Sequence, residues 1–192
     1  MIPDRRNVAL WALAGLLWLG GCSGGGGGGQ AQIGGPFSLV DQEARPRDQH
    51  LLDGKWSAVF FGYTYCPDIC PATLQTLAEA QDRLGPKASR FQVVFVSVDP
   101  QRDTPAQLKA YLSSSAFPKG VIGLTGSPTQ VAAAAKAYRL FYQKQGSGDT
   151  YEVQHSAAVY LMDPKGRFDR VIAFGLPPDE MARQISDAMR GG

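Results

Sequence analysis

Ala58-Val-Phe-Phe-Gly-Tyr-Thr-Tyr-Cys-Pro-Asp-Ile-Cys-Pro71 is the stretch that decides the fold. Its first six residues, through Tyr63, form a short apolar and aromatic run, the pattern of a strand buried on both faces of a mixed or parallel sheet. The run ends at two cysteines. Beyond them Pro71 suits the N1 position of a helix, and Leu74, Leu77, Ala78 and Leu84 follow at helical spacing until Gly85-Pro86 stops the pattern. The local order is therefore buried strand, cysteine pair, helix N-terminus.

Working outward, Phe91-Gln-Val-Val-Phe-Val-Ser-Val98 is β-branched and apolar, a second central strand closed by Asp99-Pro100. Thr104-Pro105 then opens a helix to about Leu112, by the rule that Ser or Thr caps and Pro follows. After a short strand at Val121-Ile-Gly-Leu124, Ser127-Pro128 repeats that signature ahead of an alanine-rich helix reaching Tyr138. Ala157 to Met162 and Arg170 to Phe174 read as a hairpin around the turn Asp163-Pro-Lys-Gly166, and Pro178 to Arg190 as a final helix. Upstream, Phe37-Ser-Leu-Val40 is an edge strand followed by a polar loop through Asp53 and Gly54. This βαβαβα order with a terminal hairpin and helix predicts the α/β class, a thioredoxin-like fold with a central mixed sheet flanked by helices and carrying insertions.

The N-terminus reads as an export signal rather than part of that fold. Arg5 and Arg6 give a positive start, Val8 to Leu19 form an apolar stretch short for a bilayer span, and Leu19-Gly-Gly-Cys22 resembles a bacterial lipobox. The expectation is a signal peptide over 1–21, lipidation of Cys22 at the mature N-terminus, and a tether over 22–35 built on the six glycines Gly24 to Gly29. Residues 36–192 are then one exported domain on a membrane-anchored lipoprotein facing the periplasm or extracytoplasmic space. With 19 Lys+Arg against 17 Asp+Glu and no long basic block, nucleic acid is excluded as a partner.

If Cys22 is lipidated, Cys66 and Cys70 are the two remaining cysteines, and an exported setting favours a disulfide or a metal site over idle thiols. Four-residue spacing on a helical turn puts both side chains on one face with Cβ atoms about 5–6 Å apart, near enough to share a metal or to form a disulfide. The helix N-terminus stabilises the thiolate that either chemistry needs. An inert stapling disulfide fits the spacing as well. The chain has two histidines. His50 lies in a polar loop and reads as a solvated surface residue. His155 precedes the strand at Ala157, and in a thioredoxin-like sheet that loop approaches the cysteine-bearing helix, which makes His155 the third candidate ligand.

Taken together, Gly54-Lys-Trp56, Phe61-Gly-Tyr-Thr-Tyr-Cys-Pro-Asp-Ile-Cys-Pro71, Ser97-Val-Asp-Pro-Gln-Arg-Asp-Thr-Pro105, Gly123-Leu-Thr-Gly126 and His155-Ser156 resemble the Sco/SenC proteins, over about Pro36 to Met189. The resemblance implies that Cys66, Cys70 and His155 bind one copper ion, Cu(I) or Cu(II). It also implies assembly of cytochrome c oxidase, by copper delivery to, or thiol reduction at, the binuclear centre of subunit II, with thiol reductants or other copper chaperones as further partners. The donor chemistry agrees: thiolates suit Cu(I), imidazole suits both states, and an open fourth position sets the site apart from closed structural zinc. Gln154 stands where many members of the family carry an acid. Asp68, Asp99 and Asp103 fall in matched motifs and are expected to form turns, cap or support, and Tyr63 and Tyr65 to shield the site.

Two other functions fit parts of this pattern. Cys66 and Cys70 could serve as a thiol-disulfide oxidoreductase pair without obligatory metal, although such pairs usually enclose two residues rather than three. The Tyr63 to Pro67 stretch resembles a peroxiredoxin-like peroxidase, but that family's upstream proline and Thr/Ser have no clear match.

Overall fold

The computed structural model describes residues 33–148 and 150–191. The expectations placed on the export signal at 1–21, on Cys22 and on the tether as far as residue 32 lie outside the described residues. Gly34 already donates its N–H to Ala137 O (2.9 Å), so the chain is joined to the fold just ahead of residue 36.

The chain runs β1 (Ser38–Asp41), β2 (Pro46–Asp48), β3 (Trp56–Gly62), α1 (Ile69–Arg83), β4 (Phe91–Ser97), α2 (Pro105–Leu112), β5 (Ile122–Thr125), α3 (Pro128–Ala137), β6 (Tyr142–Gln145), β7 (Glu152–His155), β8 (Ala158–Met162), β9 (Phe168–Ala173) and α4 (Pro178–Gly191). A seven-stranded sheet has the order β2-β1-β5-β4-β3-β8-β9, with β6 and β7 forming a separate two-stranded ribbon. β3, β4 and β5 are parallel, and β1, β8 and β9 run against their neighbours. This is the mixed, thioredoxin-like sheet that the element order predicts.

β3 and β4 are central because every one of their residues is buried. Their side chains alternate between two layers. Ala58 and Phe60 pack with Leu74, Leu77, Leu108 and Ile185 under α1, α2 and α4, whereas Val59 and Phe61 pack with Val131, Ala134 and Tyr138 under α3. α1 and α2 share a face because successive right-handed crossovers along parallel strands must place them there. Each fully buried Leu or Phe contributes about 1.5–3 kcal/mol, so these layers dominate the stability. Gly123 in β5 lets α2 lie close, since a Cβ there would fall 2.5 Å from Leu112 Cδ1.

The predicted caps form. Thr104 accepts from Gln107 N–H, and Ser127 and Gln130 make a reciprocal capping box. Two local expectations are corrected. α1 begins at Ile69, so Pro71 occupies the third helical position; the first four helical N–H groups have no intrahelical acceptor, and a proline loses nothing at any of them. The polar stretch before β3 is not all loop, because it holds β2 and a 3-10 turn at Gln49–Leu52. The β6–β7 ribbon was not visible in the sequence at all. No helix among the described residues is long and apolar enough to cross a membrane.

Candidate metal centre

The site lies where the carboxyl end of β3 hands over to α1, the edge at which the two packed layers meet. Cys66 packs against both of them. Cys66 sits in the turn before the helix, its N–H bonded to Tyr63 O at 3.2 Å, and Cys70 is the second residue of α1. Asp68 is the N-cap residue, yet its side chain caps nothing. The Cys66 sulfur takes that part: Cys70 N–H points at it across 3.4 Å. A thiolate there faces the positive end of the helix dipole.

The two thiols are unequal. Cys70 is fully buried and Cys66 only partly so, and neither is in a disulfide. The Cys66 thiol is lowered to about 4, chiefly because the Cys70 thiol donates to it, with His155 and the N–H groups of Cys70 and Asp68 assisting and burial opposing. The Cys70 thiol is pushed up by holding that shared proton and by burial. Gly62 makes room for the buried sulfur, since a Cβ there would stand 2.7 Å from Cys70 Sγ and 2.8 Å from Phe95 Cε2. The glycine in Phe61-Gly62-Tyr63 is thus a space requirement of the site rather than a turn.

His155 arrives from the other layer as the last residue of β7, paired with Tyr142, so it is carried by the ribbon rather than by the loop the sequence suggested. Its ring meets those of Phe60 and Tyr63 edge-on at centroid distances of 6.5 and 6.0 Å. Nδ1 lies 3.3 Å from Ser156 O, and with Nδ1–H donating there the other nitrogen, Nε2, is left as a lone-pair donor. Nε2 is 3.8 Å from Cys70 Sγ. Ligand atoms of Cys66, Cys70 and His155 all lie within 4.8 Å of one another, the one such trio among the described residues. A metal with bonds of about 2.0–2.3 Å keeps its ligands roughly 3.3–3.9 Å apart, so the donor set fits after small adjustments. An open pocket of about 300 Å³ between Cys66–Ile69 and the ribbon is lined by Cys66 and His155, with Cys70 buried behind them.

The remaining expectations divide. His50 is exposed and paired with Asp53 at 2.8 Å, the solvated residue foreseen. Tyr63 is buried against His155 as foreseen, but Tyr65 is 57% exposed and lies over Arg102 instead of covering the thiols. Gln154 is exposed at the rim of the pocket, where its amide oxygen accepts from Gln145 Nε2 at 2.8 Å. Asp103, fully buried, accepts from Thr64 N–H (3.0 Å), Thr64 Oγ1 (2.6 Å) and Ser97 Oγ (2.6 Å), pinning the residues just before Cys66. Asp99 accepts from Arg102 and from the hydroxyl of Tyr151, a residue that sequence reading passed over because nothing local marks it.

Comparison with known proteins agrees with this geometry. The family profile described as SCO1/SenC matches residues 26–190. The chain belongs to the SCO1/SenC family. It is 44% identical over 142 residues to the Arabidopsis thaliana mitochondrial protein SCO1 homolog 1, covering 73% of this chain and 42% of that one. It is likewise 44% identical over 145 residues to Rhodobacter capsulatus SenC, covering 75% and 65%. The chain spans about half the length of the first curated SCO1/SenC relatives it matches, 42–55%. Among solved structures, copper-bound Arabidopsis thaliana ScoI superposes with a TM-score of 0.78 at 38% identity, covering 83% of this chain and 99% of that one.

Proposed function

We propose that this SCO1/SenC protein is an extracytoplasmic copper carrier that holds one Cu(I) or Cu(II) ion as cargo on Cys66, Cys70 and His155 and delivers it to the binuclear centre of cytochrome c oxidase subunit II. The observation that carries the reading is the convergence of two sulfurs and one imidazole nitrogen within 4.8 Å, with Cys66 and His155 lining an open pocket. Soft thiolates favour Cu(I), and imidazole adds affinity for Cu(II). Three protein ligands leave a face from which an acceptor ligand can enter before the metal departs. The reduced protein is expected to bind one copper ion per chain and the protein oxidised to the Cys66–Cys70 disulfide none; stoichiometric copper on the disulfide form would remove the thiols from the site.

A second role at the same thiols is favoured by their inequality. Cys66, accessible and held as thiolate, can attack a disulfide in the acceptor, forming a mixed disulfide and releasing one acceptor thiolate. Cys70 then gives up its proton and attacks the Cys66 sulfur, releasing the second acceptor thiol and leaving the Cys66–Cys70 disulfide, two electrons having passed to the acceptor. Peroxidase chemistry has no such support, because the Thr64 hydroxyl beside the motif is committed to Asp103.

A leader at 1–21, lipidation at Cys22 and a tether over 22–35 complete the reading, with the carrier held on a membrane surface. Cys22→Ser is expected to leave the fold intact and move the protein from membrane to soluble fractions. A variant that stays on membranes through carbonate washing would rule out the lipid anchor.

A further inference from the structure

The ligands come from two segments far apart in sequence, and the ribbon that carries His155 shares no ladder with the main sheet. β8, which begins at Ala158 just after His155, pairs with β3 and brings that end of the ribbon beside the cysteine-bearing segment, but the other end of the ribbon needs a separate hold. Tyr151, immediately before β7 and 6% exposed, is the buried foot of the ribbon. Its hydroxyl donates to Asp99 Oδ1 at 2.6 Å, and the Arg102 guanidinium lies 3.7 Å from its ring centroid. Arg102 in turn donates to Asp99 and lies 4.6 Å from the ring centroid of Tyr65, the residue before Cys66. The Lys144 ammonium from β6 lies 3.3 Å from the Tyr151 ring centroid. Asp103, in the same turn as Asp99 and Arg102, holds Thr64. One turn between β4 and α2 therefore grips both ligand-bearing segments, through Thr64 and Tyr65 on the cysteine side and through Tyr151 on the histidine side.

We propose that Tyr151 is a positioning residue for metal capture: clamped by Asp99 and Arg102, it fixes the β6–β7 ribbon so that His155 stands at the thiols before the metal arrives. The inference rests on the reading of Cys66, Cys70 and His155 as the metal site. It deepens that reading by naming what sets the separation of the two ligand sources. The hydroxyl–carboxylate bond is buried and charge-assisted, the kind worth more than an exposed hydrogen bond. Holding the histidine in place beforehand removes an ordering cost that binding would otherwise bear. Since the thiols reach Cu(I) without the ribbon, the effect falls on the imidazole-dependent part of binding.

Tyr151→Phe keeps the ring and its cation contacts and removes only the hydroxyl, so the fold should survive. In the metal-free full-length protein, amide hydrogen exchange across β6–β7 is expected to quicken about tenfold, with β3 and β4 unchanged, for the loss of one charge-assisted bond. Cu(II) affinity is expected to fall by a similar factor, while the Cys66–Cys70 reduction potential stays at the wild-type value. In a His155→Ala background the same substitution should cost no further Cu(II) affinity, because it acts through His155. Wild-type exchange and affinity in Tyr151→Phe, or an undiminished loss in the His155→Ala background, would overturn the proposal. Failure of the metal-site reading itself has a different signature, Cu(II) binding unaffected by His155→Ala alone, and that result would overturn both.

Discussion

Cys70→Ala is expected to turn the protein into a trap: copper binding is lost by more than about 100-fold, and a stable mixed disulfide accumulates between Cys66 and any disulfide-bearing acceptor. The first effect follows from the loss of a ligand, the second from the inequality of the thiols. Removing a direct ligand costs more than the 10–100-fold typical of a supporting group, and one thiolate with one imidazole makes a poor soft site. Meanwhile Cys66 loses the Cys70 thiol that chiefly lowers it but keeps His155 and the N–H groups of residues 70 and 68, so it can still attack, whereas the thiol that would release the acceptor is gone. Cys66→Ala should lose copper equally and form no mixed disulfide, because the remaining thiol is fully buried. Deleting one buried sulfur costs about 1 kcal/mol, so both variants should melt within a few degrees of wild type. Copper stoichiometry beside non-reducing gels reads both effects; equal trapping by the two variants would contradict the assignment of Cys66 as nucleophile.

His155→Ala should separate the two oxidation states. Cu(II) affinity is expected to fall by more than about 100-fold, the loss of a direct ligand, while Cu(I) falls less because two thiolates hold it alone. The Cys66–Cys70 redox cycle needs no imidazole and should continue. Competition titrations with each oxidation state, together with the thiolate-to-copper absorption band, give the measurement. A Cu(II) affinity within a few-fold of wild type and an unchanged band would remove His155 from the site.

What could be read from the sequence depended on how far each signal reached along the chain. Trp56–Gly62 and Phe91–Ser97 declare themselves because burial on both faces leaves only Ser57, Gln92 and Ser97 as polar residues in otherwise apolar runs. Thr104 and Ser127 declare their helices because a cap is a bond between residues three apart. The β6–β7 ribbon could not be seen, since Tyr142–Gln145 is largely polar and exposed without alternation, and the alternation in Glu152–His155 rests on the single buried residue Val153. Cys66 and Cys70 could be paired from spacing. The approach of His155, 85 residues from Cys70, was legible only by way of the fold and the family resemblance. The bond from Tyr151 to Asp99 spans 52 residues and carries no local signature. Asp68 shows the opposite failure, because it occupies a capping position whose work a cysteine sulfur performs.

The borders of the main sheet bear on how many copies can coexist at high local density. An open sheet edge offers unpaired backbone groups to any neighbouring chain, and natural sheets blunt such edges with short strands, proline and charge. One border here is β2, three residues long, opened by Pro46, its Arg47 anchored to buried Asp41 at 2.8 Å. The other is β9, which carries Asp169 and Arg170 and meets β8 through a register shift at Leu161/Met162. Neither border presents a long, flat, apolar template, so crowded copies gain little by zipping their sheets together and self-association through the backbone is disfavoured.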